Sequence, residues 1–106
     1  MNEPVYYIYS GMLRGGAEFK TGITLFTRGI KKLVCEKEGF IDEVDECYER
    51  YIHKDWGLVS LKKNGKPYGV QNGTTIIGRY KTSIGNINIV TQHDRSCTVV
   101  MLPEEY

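Results

Sequence analysis

The sequence predicts an α+β fold: an antiparallel β-sheet, built from a C-terminal three-stranded meander plus N-terminal strands, with two short helices packed on one face. Three observations lead there. Apolar residues alternate near both ends of the chain, which is the period of a half-buried strand. In the middle, Ile41, Val44, Tyr48, Tyr51 and Ile52 recur at helical spacing. Glycines and short polar clusters separate these segments, as turns require. At 106 residues and 41% hydrophobic content, the chain is expected to form a single domain over residues 1–106.

Val5 to Tyr9 alternates aromatic and aliphatic groups and precedes Gly11 and Gly15-Gly16, so a first strand and a turn are expected. Gly22 to Thr27 reads as a second strand. Thr27 is a suitable N-cap for a brief helix through Ile30, Leu33 and Val34, with Gly39 expected to close it. The main helix follows from Phe40. Its acids come early and its bases, Arg50 and Lys54, come late, which complements the helix dipole. Asp55-Trp56-Gly57 ends the helical pattern, and Trp56 is expected to cover the core or seat the helix end. Ser60 to Gly73 holds Pro67 and three glycines and reads as an exposed loop. Strands are expected at Thr74 to Tyr80, Ile87 to Thr91 and Cys97 to Leu102, with turn chemistry at Ser83 to Asn86 and Asn88 facing outward.

The net charge of +1 argues against capture of DNA by bulk electrostatics. The charge is unevenly spread. Glu36, Glu38, Asp42, Glu43, Asp45, Glu46 and Glu49 face one base, Lys37, whereas bases dominate Arg28 to Lys32 and Lys54 to Lys66. Cys35, Cys47 and Cys97 lack any CxxC spacing, which speaks against a zinc ribbon and suits free thiols acting as small hydrophobes. The first residues lack the basic and apolar regions of a signal peptide, and no stretch approaches the roughly 18 apolar residues of a membrane span. A cytoplasmic protein without a membrane anchor or cofactor is expected.

The chemistry-bearing stretch is His93-Asp94-Arg95-Ser96, set between two strand-like runs. Two readings compete. In one, His93 is a general base and Arg95 neutralises a phosphate, with His53 or Asp55 assisting, as in a small toxin-like nuclease. In the other, Asp94 accepts backbone N–H bonds in the turn and Arg95 pairs with an acid such as Glu104 or Glu105. His53, Asp55, His93 and Asp94 are also suitable metal ligands by type, although no spacing template supports a site, and no metal is expected.

The order Asp55-Trp56-Gly57, Ile77 to Thr82, Ile87 to Thr91, Asp94-Arg95-Ser96 and Thr98 to Tyr106 resembles a family of small uncharacterised proteins carried by plasmids and phages. Its signature runs D-W-G, then D-R-S-x-T-x-x-L-P-x-E-Y. The resemblance covers about Gly22 to Tyr106 and leaves Met1 to Lys20 as an extension particular to this chain. It departs from the family at Asn88 or its neighbour, where the middle strand usually has tryptophan, at Gln92, where a glutamate is usual, and in the loop containing Pro67. It also implies that Trp56, Asp94, Arg95 and Ser96 are structural, since the family keeps no histidine at His93.

A non-catalytic binding protein of a mobile genetic element is therefore expected, one that docks on a host protein such as a CRISPR or restriction nuclease and inhibits it. The candidate partner-binding residues are Asp42, Glu43, Asp45, Glu46 and Glu49, which imitate the charge of a nucleic-acid backbone, and the tyrosines Tyr6, Tyr7 and Tyr9. The alternatives are the nuclease, using His93, Arg95 and Asp55, and a nucleic-acid-binding accessory factor using Lys62, Lys63, Lys66 and Tyr68.

Overall fold

The computed structural model describes residues 6–8, 18–58, 62–63, 66–67 and 75–105. In chain order these form β1 (Tyr6–Ile8), β2 (Ile23–Thr27), α1 (Arg28–Glu36), α2 (Phe40–Ile52), β3 (Lys62–Lys63), β4 (Lys66–Pro67), β5 (Ile76–Thr82), β6 (Gly85–Thr91) and β7 (Cys97–Met101). A 3-10 turn, Pro103–Glu105, follows. The fold class is α+β.

Five strands make one sheet in the order β1-β2-β7-β6-β5, and β3 and β4 pair separately. The expectation of an antiparallel sheet is corrected here. β2 runs parallel to β7, with Ile23 opposite Cys97 and Phe26 opposite Val100, so the sheet is mixed. Two helices, the β3–β4 ladder and the β5–β6 pair lie between these strands in sequence, and a parallel pair needs such a long crossover. The remaining pairs, β1 with β2, β5 with β6 and β6 with β7, are antiparallel.

Strand alternation divides the apolar residues between two faces. Phe26, Ile76, Tyr80, Ile87, Ile89 and Val100 meet Ile30 of α1 and Phe40, Val44, Cys47 and Tyr51 of α2 in the main core. Val90, Val99 and Met101 form a second buried cluster, against which Leu25, Ile77 and Cys97 pack. Asn88, expected to face outward, is 1% exposed on that second side, where its Oδ1 accepts a hydrogen bond from Arg79 Nε at 3.0 Å. A buried amide needs such a partner.

Tyr51 anchors a line of hydroxyls through the main core. It donates to the Ile76 carbonyl (3.1 Å) and lies 2.6 Å from Thr91 Oγ1. Thr91 Oγ1 is in turn 2.7 Å from Thr98 Oγ1, which donates to the Thr21 carbonyl at 2.7 Å. These contacts tie α2 to β5, β6, β7 and the approach to β2. Burial pushes the Tyr51 phenol well above its ordinary pKa, because a phenolate there would lose its hydration.

Trp56 is 6% exposed and packs against Phe19 and Tyr51. Beyond it, Leu58 N–H donates to the Arg79 carbonyl and Arg79 N–H to the Trp56 carbonyl, stitching the post-helix segment to β5. The loop expected over Ser60 to Gly73 carries the short β3–β4 ladder, and its other residues lie outside those described. Gly39, expected to close α1, instead stands at the N-cap of α2, while α1 ends at Glu36 with Lys37 as its C-cap. All three cysteines are free. Cys47 is buried and Cys97 half-buried, as small hydrophobes are expected to be, but Cys35 is exposed on α1.

Candidate functional site

The corner between β6 and β7 contains His93, Asp94, Arg95 and Ser96, and it is fastened by its own atoms. Asp94 Oδ1 accepts the Ser96 backbone N–H at 3.0 Å, the Asx arrangement that a short polar side chain offers a turn. Hydrogen bonds from the Ser96 hydroxyl and backbone hold the Asp94 carboxyl below its ordinary pKa. Arg95 has φ +63, a left-handed conformation, and its Nη1 donates to the Gln92 and His93 carbonyls at 3.1 and 3.2 Å. Arg95 therefore braces its own turn, whereas pairing with Glu104 or Glu105 had been expected. His93 is exposed beside it.

This corner is locked against the start of β2. Ile23 N–H donates to the Ser96 carbonyl at 3.3 Å. Gly22 has φ +66, and a Cβ there would lie 2.4 Å from that same carbonyl oxygen. Only glycine lets the two backbones approach so closely.

The second candidate group does not assemble. His53 caps the C-terminus of α2, where its Nδ1 lies 2.9 Å from the Glu49 carbonyl. The Asp55 carboxylate takes two hydrogen bonds from Arg50, at 2.8 and 3.2 Å, and one from Gly57 N–H at 3.1 Å. The Arg50 guanidinium accordingly holds Asp55 below its ordinary pKa. Among the described residues, no three His, Cys, Asp or Glu side chains are grouped so as to hold a metal ion.

The acids of α2 differ in what they do. Glu43 is bound to the β5–β6 turn: its Oε1 accepts Ser83 N–H at 2.8 Å and its Oε2 the Ser83 hydroxyl at 2.7 Å. These bonds, with Lys37 nearby, lower its pKa. Asp45 is half-buried, with Oδ1 shut off from solvent and no hydrogen-bonding partner, and burial raises its pKa. Glu49 is half-buried with its Oε2 3.7 Å from His53 Nδ1. Asp42 and Glu46 are exposed.

The tyrosines expected to meet a partner also divide. Tyr7 is half-buried and packs on the main core, with Lys31 Nζ 4.6 Å above its ring. Tyr6 takes part in β1, and Tyr9 lies outside the described residues. Of the accessory-factor candidates, Lys62, Lys63 and Lys66 belong to the β3–β4 ladder, and Tyr68 lies outside the described residues.

Sequence reasoning missed Glu105. Its Oε1 accepts from the Thr27 hydroxyl at 2.5 Å and Leu102 N–H at 2.9 Å, and its Oε2 from Gly29 N–H at 3.0 Å. A carboxylate from the end of the chain thus caps the N-terminus of α1 and meets the positive end of the helix dipole. Gly29 carried the signal, since a glycine inside a helix costs about 1 kcal/mol against alanine. A Cβ at Gly29 would lie 2.7 Å from Glu105 Oε2.

A groove of about 480 Å³ opens between α1, the β5–β6 turn and the 3-10 turn, lined by Leu33, Ile84, Asn86, Leu102, Pro103 and Glu104. None of His53, Asp55, His93, Asp94 or Arg95 lines it. Comparison of the chain with protein-family models, curated proteins and solved structures finds no match. No helix among the described residues is long and apolar enough to cross a membrane.

Proposed function

We propose that this chain is a non-catalytic binding protein of a mobile genetic element that docks on a basic surface of a host protein and inhibits a defence nuclease of the CRISPR or restriction type. The observation that carries this reading is the contrast among its polar side chains. Asp94, Arg95, Asp55 and Glu105 hold the chain's own turns and helix ends, while Asp42 and Glu46 stand exposed on α2. Two acids one helical turn apart share a face, and such a face steers toward a channel built to hold phosphates. The resemblance to plasmid- and phage-borne proteins supplies the biological setting.

The test is phage survival in hosts that carry or lack one defence system. The protein should raise survival only where the system is present. The pair Asp42→Lys and Glu46→Lys should abolish that gain while leaving the circular dichroism spectrum unchanged. Equal survival in all hosts, or full protection by the reversed variant, would contradict the proposal.

A further inference from the structure

We infer that Asp45 is a charge that α2 carries at a cost to the fold, and that mild acid relieves this cost while it removes the support of Glu43. Asp45 is half-buried, and its Oδ1 is shut off from solvent with no hydrogen-bonding partner. Glu43, Asp55, Asp94 and Glu105 all accept hydrogen bonds from backbone amides or side chains. Asp45 accepts none and joins no ion pair. A carboxylate placed so loses hydration that nothing replaces.

No nearby charge compensates it. The acids around it on the same helix, Asp42, Glu46 and Glu49, are of like sign, and Arg50 is taken by Asp55. β5, on which α2 packs, buries Ile76 and Tyr80 on that side, so alternation turns Arg79 and Lys81 to the other face. α1 also packs on α2, and none of its bases pairs with Asp45. Burial alone raises the Asp45 pKa.

Glu43, two residues earlier, is the opposite case, because its bonds to Ser83 lower its pKa. The two acids therefore answer pH with opposite sign. A raised folded pKa imposes its full cost above that value and none below the ordinary 3.8. A lowered one stabilises above the ordinary 4.5 and loses that contribution as pH falls. In acid, α2 is thus relieved at Asp45 as it loosens at Glu43, and its packing on the sheet changes less than the loss of Glu43 alone would dictate.

Thermal unfolding of the full chain tests this. At pH 7, Asp45→Asn should raise Tm by at least about 2 °C, while Asp42→Asn, at an exposed position of the same helix, should not. The advantage of Asp45→Asn over wild type should shrink as pH falls toward 3.8. If the amide also stays unpaired and gains nothing, Asp45→Ala, which leaves no polar atom, should raise Tm at pH 7. Part of that rise should vanish near pH 3.8, where only the helix propensity of alanine remains. No rise in either Asp45 variant at pH 7, an equal rise on Asp42→Asn, or a rise that persists undiminished in acid would each overturn the inference.

Discussion

The two turns of the C-terminal meander solve the same problem with different material. The β6–β7 corner is tied by its own Asp94, Arg95 and Ser96. The β5–β6 turn borrows Glu43 from α2 to hold Ser83. A self-fastened corner can look like an active site, because the groups that make turns are also those that do chemistry. A borrowed acid is the reverse case: in sequence it belongs to a solvated charged face, and only the fold shows that it is committed.

The largest effect should come from prising the self-fastened corner away from β2. Gly22→Ala places a Cβ against the Ser96 carbonyl at a left-handed φ, and denaturant unfolding should show a loss of about 3 kcal/mol. A cost below about 1 kcal/mol would mean that this corner yields more readily than its geometry implies.

Next should come the other borrowed acid. Glu105→Ala removes the acceptor for Thr27, Gly29 and Leu102, and about 2 kcal/mol should be lost. Glu105→Gln should retain part of it. Equal losses in the two variants would show that charge at the helix end contributes nothing.

Glu43→Ala should cost less, under about 1 kcal/mol, because the site is exposed and screened. Its pH dependence is signed. Bonds from Ser83 lower the folded pKa below the ordinary 4.5, so the Glu43 contribution is complete above that value and is lost as pH falls through the folded value. Acid titration of wild type against Glu43→Gln should show the difference between them shrinking at low pH. A difference that grows in acid would reverse the assignment.

Much of this architecture is legible in the sequence. The Thr27 cap, the α2 stripe and the punctuation of the C-terminal strands act locally, so composition and period reveal them. The parallel β2–β7 pairing is not local, since alternation marks a strand without naming its neighbour or direction. Asn88 departs from its expected outward place for a related reason: alternation separates two faces, and over Ile87–Thr91 of β6 both are buried. At the candidate site, the turn-making role of Asp94 was readable from its neighbours. The Glu43–Ser83 and Glu105–Gly29 bonds join distant elements, and Gly29 was the one local trace they left.

The central claim is that His93 and its neighbours are scaffold and that recognition belongs to the outer surface of α2. Thermal melting of wild type and His93→Ala, each with and without excess zinc, manganese or magnesium, tests it most directly. The account predicts one Tm for wild type in every condition and, for His93→Ala, an unfolding free energy within about 0.5 kcal/mol of wild type, as for an exposed side chain away from structural contacts. A metal-dependent rise in Tm that disappears in His93→Ala would contradict it.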